Sequence, residues 1–135
     1  MADLNAVVTD THPLIFHAAG GGKLSLRAQA LFDAAEARRT IIYVPAAVIW
    51  EVSLLARGVR INLHRPVRAF FADLFSNPAY QPHPFDAPQA FDADELRFTR
   101  DPLDALICAA APDLHLPLIT RDGVIREAGV VTIAW

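Results

Sequence analysis

The feature that most constrains the fold is an alternation of short β-rich runs with helical segments. The β-rich runs cover residues 6–9, 41–44, 117–120 and 130–133, and the intervening segments repeat apolar residues at helical spacing. Strands that are joined by helices run in the same direction within a sheet. The sequence therefore predicts an α/β fold with a central, mainly parallel sheet.

Capping residues and helix breakers set the predicted helix boundaries. Ser25 is an N-cap residue, Gly58 and Gly129 are typical of helix ends, and Asp101-Pro102 is typical of a helix start. A loop is predicted after Asp10, and the proline-rich segment 80–88 is predicted to lack a regular element. The predicted helices cover residues 25–38, 46–57, 66–76, 89–96, 102–111 and a short segment before Gly129.

Length and composition bound the class of protein. A chain of 135 residues is expected to form one domain over residues 1–135. The hydrophobic share is 53%, which indicates either a dense core or an apolar surface for self-association or a partner. The net charge of −3 does not indicate general nucleic-acid binding, although 11 of the 12 basic residues are Arg, which binds phosphate well.

Apolar runs, the single cysteine and the histidine spacing bear on the compartment and on the redox and metal chemistry of the protein. No apolar run approaches the roughly 20 residues of a membrane span, and we expect a cytoplasmic protein with no membrane contact. Cys108 is the only cysteine and lies in an apolar run, so it is expected to be a buried, inert thiol. The five histidines show no paired metal spacing, which argues against a zinc site.

Five acidic residues lie in short motifs that could bring their carboxylates to one pocket. Asp10 and Asp122 follow predicted strands, Asp101 and Asp104 begin a helix, and Glu51 lies in mid-helix. Carboxylates about 4 Å apart repel by roughly 4 kcal/mol at an effective dielectric near 20, so such a cluster needs protons or a cation. Hard oxygen ligands favour Mg²⁺ or Mn²⁺.

Each acid also has a purely structural interpretation. Asp101 could serve only as a helix N-cap, which is worth about 1 kcal/mol. Asp104 could only complement the helix dipole, and Asp10 and Asp122 could be turn formers. Glu51 is harder to explain in this way, because a Glu among apolar neighbours needs a partner unless it faces solvent.

Four ordered motifs carry a resemblance to a known family. They are Asp10-Thr11-His12, Trp50-Glu51-Val52, the segment 100–107 (RDPLDALI) and the segment 118–122 (LITRD). In these motifs the chain resembles PIN-domain ribonucleases and, more narrowly, VapC-type toxins of bacterial type II toxin–antitoxin pairs. The resemblance implies a three-layer α/β/α domain and an endoribonuclease that leaves a 3′-hydroxyl and a 5′-phosphate.

The resemblance also implies roles for residues at matching positions. Asp10, Asp104 and Asp122 would hold Mg²⁺ or Mn²⁺, Glu51 would complete the catalytic set by orienting water, and Asp101 is a candidate additional acid. The partners implied are an RNA substrate, a cognate antitoxin and a second copy in a homodimer. Thr11 and Thr120 match supporting hydroxyl positions, and the candidate RNA contacts are His12, Arg57, Arg100 and Arg121.

Two departures from the family pattern keep other interpretations open. Relatives often have Lys where this chain has Leu55, and Arg where it has Ala105. One alternative is a non-catalytic PIN-fold binding module. Another is an aspartyl-phosphate receiver or phosphatase, although the only lysine, Lys23, is far from any strand-end motif, and Asp10-Thr11-His12 lacks the second Asp of such phosphatases.

Overall fold

The sheet confirms the predicted parallel α/β architecture. The computed structural model describes residues 5–135. Their strands lie in the order β3-β2-β1-β4, and every pair is parallel. The strands are β1 (Ala6–Thr9), β2 (Ile41–Pro45), β3 (Tyr80–His83) and β4 (Leu118–Ile119).

Helices connect the strands and flank the sheet. Seven occur within residues 5–135, which gives the three-layer α/β/α arrangement expected from the resemblance. None of these seven is long and apolar enough to cross a membrane. The helices are α1 (Thr11–Ala18), α2 (Leu26–Glu36), α3 (Ala46–Arg57), α4 (Val67–Leu74), α5 (Ala87–Glu95), α6 (Pro102–Leu114) and α7 (Gly123–Ala128).

Strand β1 lies at the centre of the core. It pairs with β2 on one side and β4 on the other, and Val7 and Val8 are fully buried. Phe32 of α2, Val48 of α3 and Ile107 of α6 belong to the same buried cluster. Burial of each large apolar side chain contributes roughly 1.5–3 kcal/mol, so β1 is fixed firmly and its carboxyl end is held in place.

Several predicted helix boundaries are confirmed by their caps. Ser25 Oγ accepts a hydrogen bond from the Ala28 N–H at 3.1 Å, and α3 ends immediately before Gly58. Gly129 follows α7 with a φ of +67°, a left-handed conformation that glycine adopts without strain. Asp101 caps α6. Local capping chemistry therefore identified the helix ends.

The loop predicted after Asp10 is wrong, because residues Thr11–Ala18 form α1. Pro13 lies in the first turn of this helix, where its missing N–H would have no intrahelical partner in any case. Asp10 caps the helix by accepting a hydrogen bond from the Thr11 N–H. The proline that indicated a loop is thus compatible with a helix start.

The prediction of no regular element in segment 80–88 is also wrong at its beginning. Residues Tyr80–His83 form β3, which pairs only with β2 and is an edge strand. An edge strand tolerates Pro82, because one side of its backbone needs no ladder hydrogen bonds. Tyr80 is almost fully buried and anchors the strand to the core.

The C-terminal predictions need two corrections. The strand expected at 130–133 is reduced to an isolated bridge between Leu118 and Ile133. Helix α6 continues past the predicted end at Ala111, with Pro112 in its last turns, and ends at His115 in the left-handed conformation. Proline removes one hydrogen bond there but does not stop a helix so close to its end.

Candidate functional site

Asp10 joins the ends of the two strands β1 and β4. Its Oδ1 accepts a hydrogen bond from the Thr11 N–H at 2.7 Å, and its Oδ2 accepts one from Thr120 Oγ1 at 2.7 Å. The same Thr120 hydroxyl accepts a hydrogen bond from the Asp122 N–H at 3.1 Å. Thr120 therefore fixes the relative positions of two acidic residues.

Asp101 and Asp122 are both helix N-caps. Asp101 Oδ1 accepts from the Leu103 N–H at 2.9 Å, and Asp122 Oδ1 accepts from the N–H groups of Val124 and Ile125 at 2.9 and 3.1 Å. The capping interpretation of Asp101 is thus correct as a structural role. It does not exclude a second role, because both caps present their carboxyl groups to one cavity.

All five acids line this cavity, which we call the acidic cavity and which has a volume of about 280 Å³. Two strands and a helix converge at this cavity, since β1 and β4 end there and α6 begins there. Glu51 enters from the middle of α3 and is partly buried. The complete lining is Asp10, His12, Pro13, Glu51, Asp101, Asp104, Arg121 and Asp122.

The acids raise one another's proton affinity. Burial raises the pKa of Asp10, and its hydrogen bonds to Thr120 and Thr11 oppose this change. Burial, followed by the charges of Asp101 and Asp10, raises the pKa of Asp104 from 3.8 to about 7. The carboxylates in the cavity therefore repel one another, and a bound cation would offset this repulsion.

The donor set suits a hard divalent cation. Every acidic side chain at the cavity offers oxygen, the donor that Mg²⁺ and Mn²⁺ favour. Within residues 5–135, no three His, Cys, Asp or Glu side chains are arranged to hold a metal ion by themselves. Mg²⁺ commonly uses one or two carboxylates and completes its shell with water and substrate phosphate. The open acidic cavity is compatible with that mode of binding.

The remaining sequence candidates are not all at the cavity. His12 and Arg121 line it, whereas the guanidinium of Arg57 lies over the Trp50 ring at 5.1 Å, and neither Arg57 nor Arg100 is part of the lining. The Thr11 hydroxyl is buried without a hydrogen-bond partner among the described residues. Thr11 supports Asp10 through its backbone N–H instead.

Cys108 behaves as the sequence predicted. It is fully buried, and burial followed by the nearby Asp10 charge raises the pKa of its thiol to about 12. A thiol with so high a pKa is a poor nucleophile at neutral pH.

A basic and apolar cavity beside the acids was missed at the sequence level. Phe16 of α1 lies beneath Arg121, whose guanidinium carbon is 4.6 Å from the ring centroid, and Lys23 Nζ is 5.4 Å from the same centroid. His12 and Phe16 are four residues apart, a spacing that places them on one helix face. That signal was hidden because residues 11–18 were predicted to be a loop.

Fold and site together define a parallel α/β protein with an acidic cavity at the carboxyl ends of its strands. The family model of the PIN domain matches residues 7–131. The chain belongs to the PIN domain family.

Solved structures show the same fold at low sequence identity. VapBC2 from Rickettsia felis, bound to a promoter DNA fragment, has a chain with a TM-score of 0.65 and 16% identity, covering 95% of this chain and 96% of that one. A toxin–antitoxin complex from Klebsiella pneumoniae has a chain with a TM-score of 0.65 and 22% identity, covering 96% of this chain and 98% of that one. FitAcB from Neisseria gonorrhoeae has a chain with a TM-score of 0.63 and 22% identity, covering 94% of this chain and 95% of that one. No curated protein sequence matches the chain.

Proposed function

We propose that the protein is a metal-dependent endoribonuclease and the toxin of a type II toxin–antitoxin pair. The observation that carries this proposal is the convergence of Asp10, Glu51, Asp101, Asp104 and Asp122 on one open cavity at the carboxyl edge of the sheet. Membership of the PIN domain family supports the nuclease assignment. Likeness to chains of toxin–antitoxin complexes supports the cellular role.

The proposed reaction is hydrolysis of an RNA phosphodiester. Water adds to phosphorus, the bond from phosphorus to O3′ breaks, and O3′ takes a proton, so the products are a 3′-hydroxyl and a 5′-phosphate. A bound Mg²⁺ or Mn²⁺ would neutralise phosphate charge and lower the pKa of water. Asp10, Asp104 and Asp122 are the candidate residues for holding the ion, of which one or two would contact it directly while water and substrate phosphate supply the other ligands.

The protein's own groups would divide the remaining work. Glu51 projects from a different element than the other acids, and no hydrogen bond or ion pair within residues 5–135 engages its carboxylate, so it is free to accept a proton from the attacking water. Thr120 holds Asp10 and the Asp122 backbone in place. Arg121 and His12 lie at the cavity wall, where they would contact the phosphate backbone.

An antitoxin and a second copy of the chain are the proposed protein partners. Exposed apolar side chains provide surface for them: Phe91 is 71% exposed and Trp50 is 48% exposed. A basic side chain of the antitoxin that entered the acidic cavity would offset the repulsion between the carboxylates. Sedimentation or light scattering of the purified protein tests the homodimer directly.

Cleavage of a pool of structured and single-stranded RNAs tests the enzymatic proposal. Purified protein is incubated with the pool in Mg²⁺, Mn²⁺ or EDTA, alongside Asp10→Asn and Asp104→Asn. Asp94→Asn is the matched control, because Asp94 is an exposed acid outside the cavity. We expect metal-dependent cleavage by the parent and the control, and none by the two cavity variants.

Two results would contradict the assignment. Equal cleavage in EDTA would remove the role of the metal, and equal cleavage by Asp10→Asn and Asp104→Asn would place the active site elsewhere. Folded parent protein that binds Mn²⁺ but cuts no RNA would favour the non-catalytic PIN-fold module. Stable phosphorylation of Asp10 would favour the receiver or phosphatase interpretation.

A further inference from the structure

A second cavity, which we call the side cavity, adjoins the acidic cavity. It has a volume of about 560 Å³ and shares His12 and Arg121 with the acidic cavity. Its size lies in the range of roughly 300–1,000 Å³ that is typical of small-ligand sites. A chain that occupied the acidic cavity could therefore continue into the side cavity without leaving the surface.

The side cavity combines positive charge with an apolar floor. Lys23, Arg60 and Arg121 are exposed at its wall, and Ile15, Phe16 and Ile61 contribute apolar surface. Its described lining contains no Asp or Glu. The charge is therefore opposite to that of the acidic cavity beside it, although the two share a wall.

Phe16 holds two of the cations in place. The Arg121 guanidinium and the Lys23 ammonium both lie over its ring, at 4.6 and 5.4 Å from the centroid. None of the ion pairs found within residues 5–135 involves Lys23, Arg60 or Arg121. Lys23 and Arg121 are oriented by an aromatic ring, and none of the three cations forms an ion pair with a carboxylate, so all three remain available to an anionic ligand.

We propose that the side cavity binds the RNA nucleotide next to the cleaved bond, with its phosphate on Lys23, Arg60 and Arg121 and its base against the apolar floor. This inference rests on the proposed nuclease function, because it takes the scissile phosphate to lie in the acidic cavity. Cations that follow a backbone, together with an aromatic or guanidinium platform, are the usual means of binding single-stranded nucleic acid. A neutral or basic peptide segment would match the apolar floor but would leave the three cations without anionic partners.

Equilibrium binding tests the proposal without cleavage. A fluorescent, mixed-sequence, single-stranded RNA oligonucleotide is titrated with the full chain in Ca²⁺, over a series of salt concentrations, and a gel verifies that the RNA stays intact. The test variant combines Lys23→Gln, Arg60→Gln and Arg121→Gln. The control combines Arg27→Gln, Arg39→Gln and Arg97→Gln, which removes the same charge from exposed positions outside both cavities.

We expect the test variant to bind RNA at least about tenfold more weakly than the control near 0.1 M salt. The dependence of log affinity on log salt should become shallower by about 0.7, because the test variant loses its contact with one phosphate and each phosphate contact on a single strand contributes about 0.7. Phe16→Leu keeps an apolar side chain and should weaken RNA binding by about fivefold or more. Inorganic polyphosphate, which has no bases, should respond fully to the cation variant. It should respond less than RNA to Phe16→Leu, because for polyphosphate this change affects only the orientation of Lys23 and Arg121.

Equal affinity and equal slope for the test and control variants would overturn the proposal and leave the side cavity to a protein partner. No saturable RNA binding by the parent protein would overturn it as well. Equal sensitivity of RNA and polyphosphate to Phe16→Leu would overturn the base contact. A parent that binds RNA in this way but never cleaves it contradicts the nuclease proposal alone, because the binding assay contains no catalytic step.

Discussion

The acidic cavity differs sharply from a second polar cluster, which consists of His83, Gln89 and Asp113. In that cluster, which we call the polar triad, Asp113 Oδ2 lies 2.9 Å from His83 Nε2 and accepts a hydrogen bond from Gln89 Nε2 at 3.1 Å. Gln89 is almost fully buried and also donates to the Pro84 carbonyl. The triad thus joins β3, α5 and α6 through groups that satisfy one another.

The carboxylates of the acidic cavity have no such partners. They are held by backbone N–H groups and one hydroxyl, and burial together with their mutual repulsion raises the pKa of Asp104 to about 7. Polar groups that are paired within the protein stabilise the fold. Carboxylates that face other carboxylates without such partners destabilise it, and a bound cation would relieve that cost. The comparison separates a cluster whose groups are satisfied within the protein from one whose carboxylates are not, without reference to family.

The largest expected difference between the two regions is in cleavage. Glu51→Gln should lower kcat by roughly 10²–10⁴, because the amide cannot accept a proton from water. Asp113→Asn should leave kcat within about twofold, since it lies outside the acidic cavity. Single-turnover cleavage of one RNA substrate in Mn²⁺ measures both. A loss of the same size in both variants would remove the distinction between the regions.

The next effect is stabilisation by a metal. Mn²⁺ at about 100 times its dissociation constant should raise the free energy of unfolding by about 3 kcal/mol, because it binds the folded acidic cavity and not the unfolded chain. Asp104→Asn should abolish most of this gain, and Gln89→Leu should keep it. Urea unfolding of the parent and the two variants, each in Mn²⁺ and in EDTA, gives the six free energies needed. An undiminished gain in Asp104→Asn would place the metal away from the acidic cavity.

The polar triad should dominate stability in the absence of metal. Gln89→Leu removes the amide and leaves the Pro84 carbonyl and the Asp113 carboxylate short of a donor, which should cost roughly 1–3 kcal/mol. Gln29→Leu, at an exposed position of α2, is the control and should stay within about 0.5 kcal/mol. Urea unfolding in EDTA measures the difference. An unchanged free energy of unfolding in Gln89→Leu would show that the triad contributes no net stability.

Local chemistry in the sequence predicted the caps and most element positions. Ser25, Asp101 and Gly129 each act within a few residues of themselves, so their roles could be inferred without the fold. Asp10 and Asp122 were predicted to meet because parallel strands share a carboxyl edge, and the other three acids were placed with them by their motifs and the resemblance to the family. All five line one cavity. Their side-chain orientations and the bond from Thr120 to Asp10 across 110 residues required the tertiary structure.

The wrong predictions arose where tertiary context overrode a local signal. Pro13 suggested a loop but occupies a first helical turn, and Pro82 argued against a strand but lies at a sheet edge. The polar triad was not predicted, because Asp113 is 30 residues from His83 and 24 from Gln89 in sequence and each residue is individually ordinary. The side cavity was missed for a related reason, since Phe16 and Lys23 meet Arg121 only after α1 has formed.

The smallest expected effect is a change in stability, and it is the most direct test of the repulsion between carboxylates in the acidic cavity. Asp104→Asn should stabilise the metal-free protein by roughly 1–2 kcal/mol at pH 7.5, a figure discounted for the partial solvent exposure of this carboxyl group. The gain arises because the folded state raises the pKa of Asp104 from 3.8 to about 7 and so disfavours its charged form. Asp94→Asn, at an exposed position, should change stability by less than about 0.5 kcal/mol.

The sign of the pH dependence follows from the same pKa. Well below pH 3.8, Asp104 is protonated in both the folded and the unfolded chain, so the parent and Asp104→Asn should be equally stable. Between pH 4 and 7 the folded parent retains a proton that the unfolded chain has lost, and its stability relative to the variant falls as the pH rises. Above pH 7 the difference becomes constant. Thermal unfolding in EDTA across this pH range measures the difference in stability. If the parent instead gained stability relative to Asp104→Asn as the pH rises, a group within the protein would already pair with the Asp104 carboxylate. The contrast with Asp113 would then disappear.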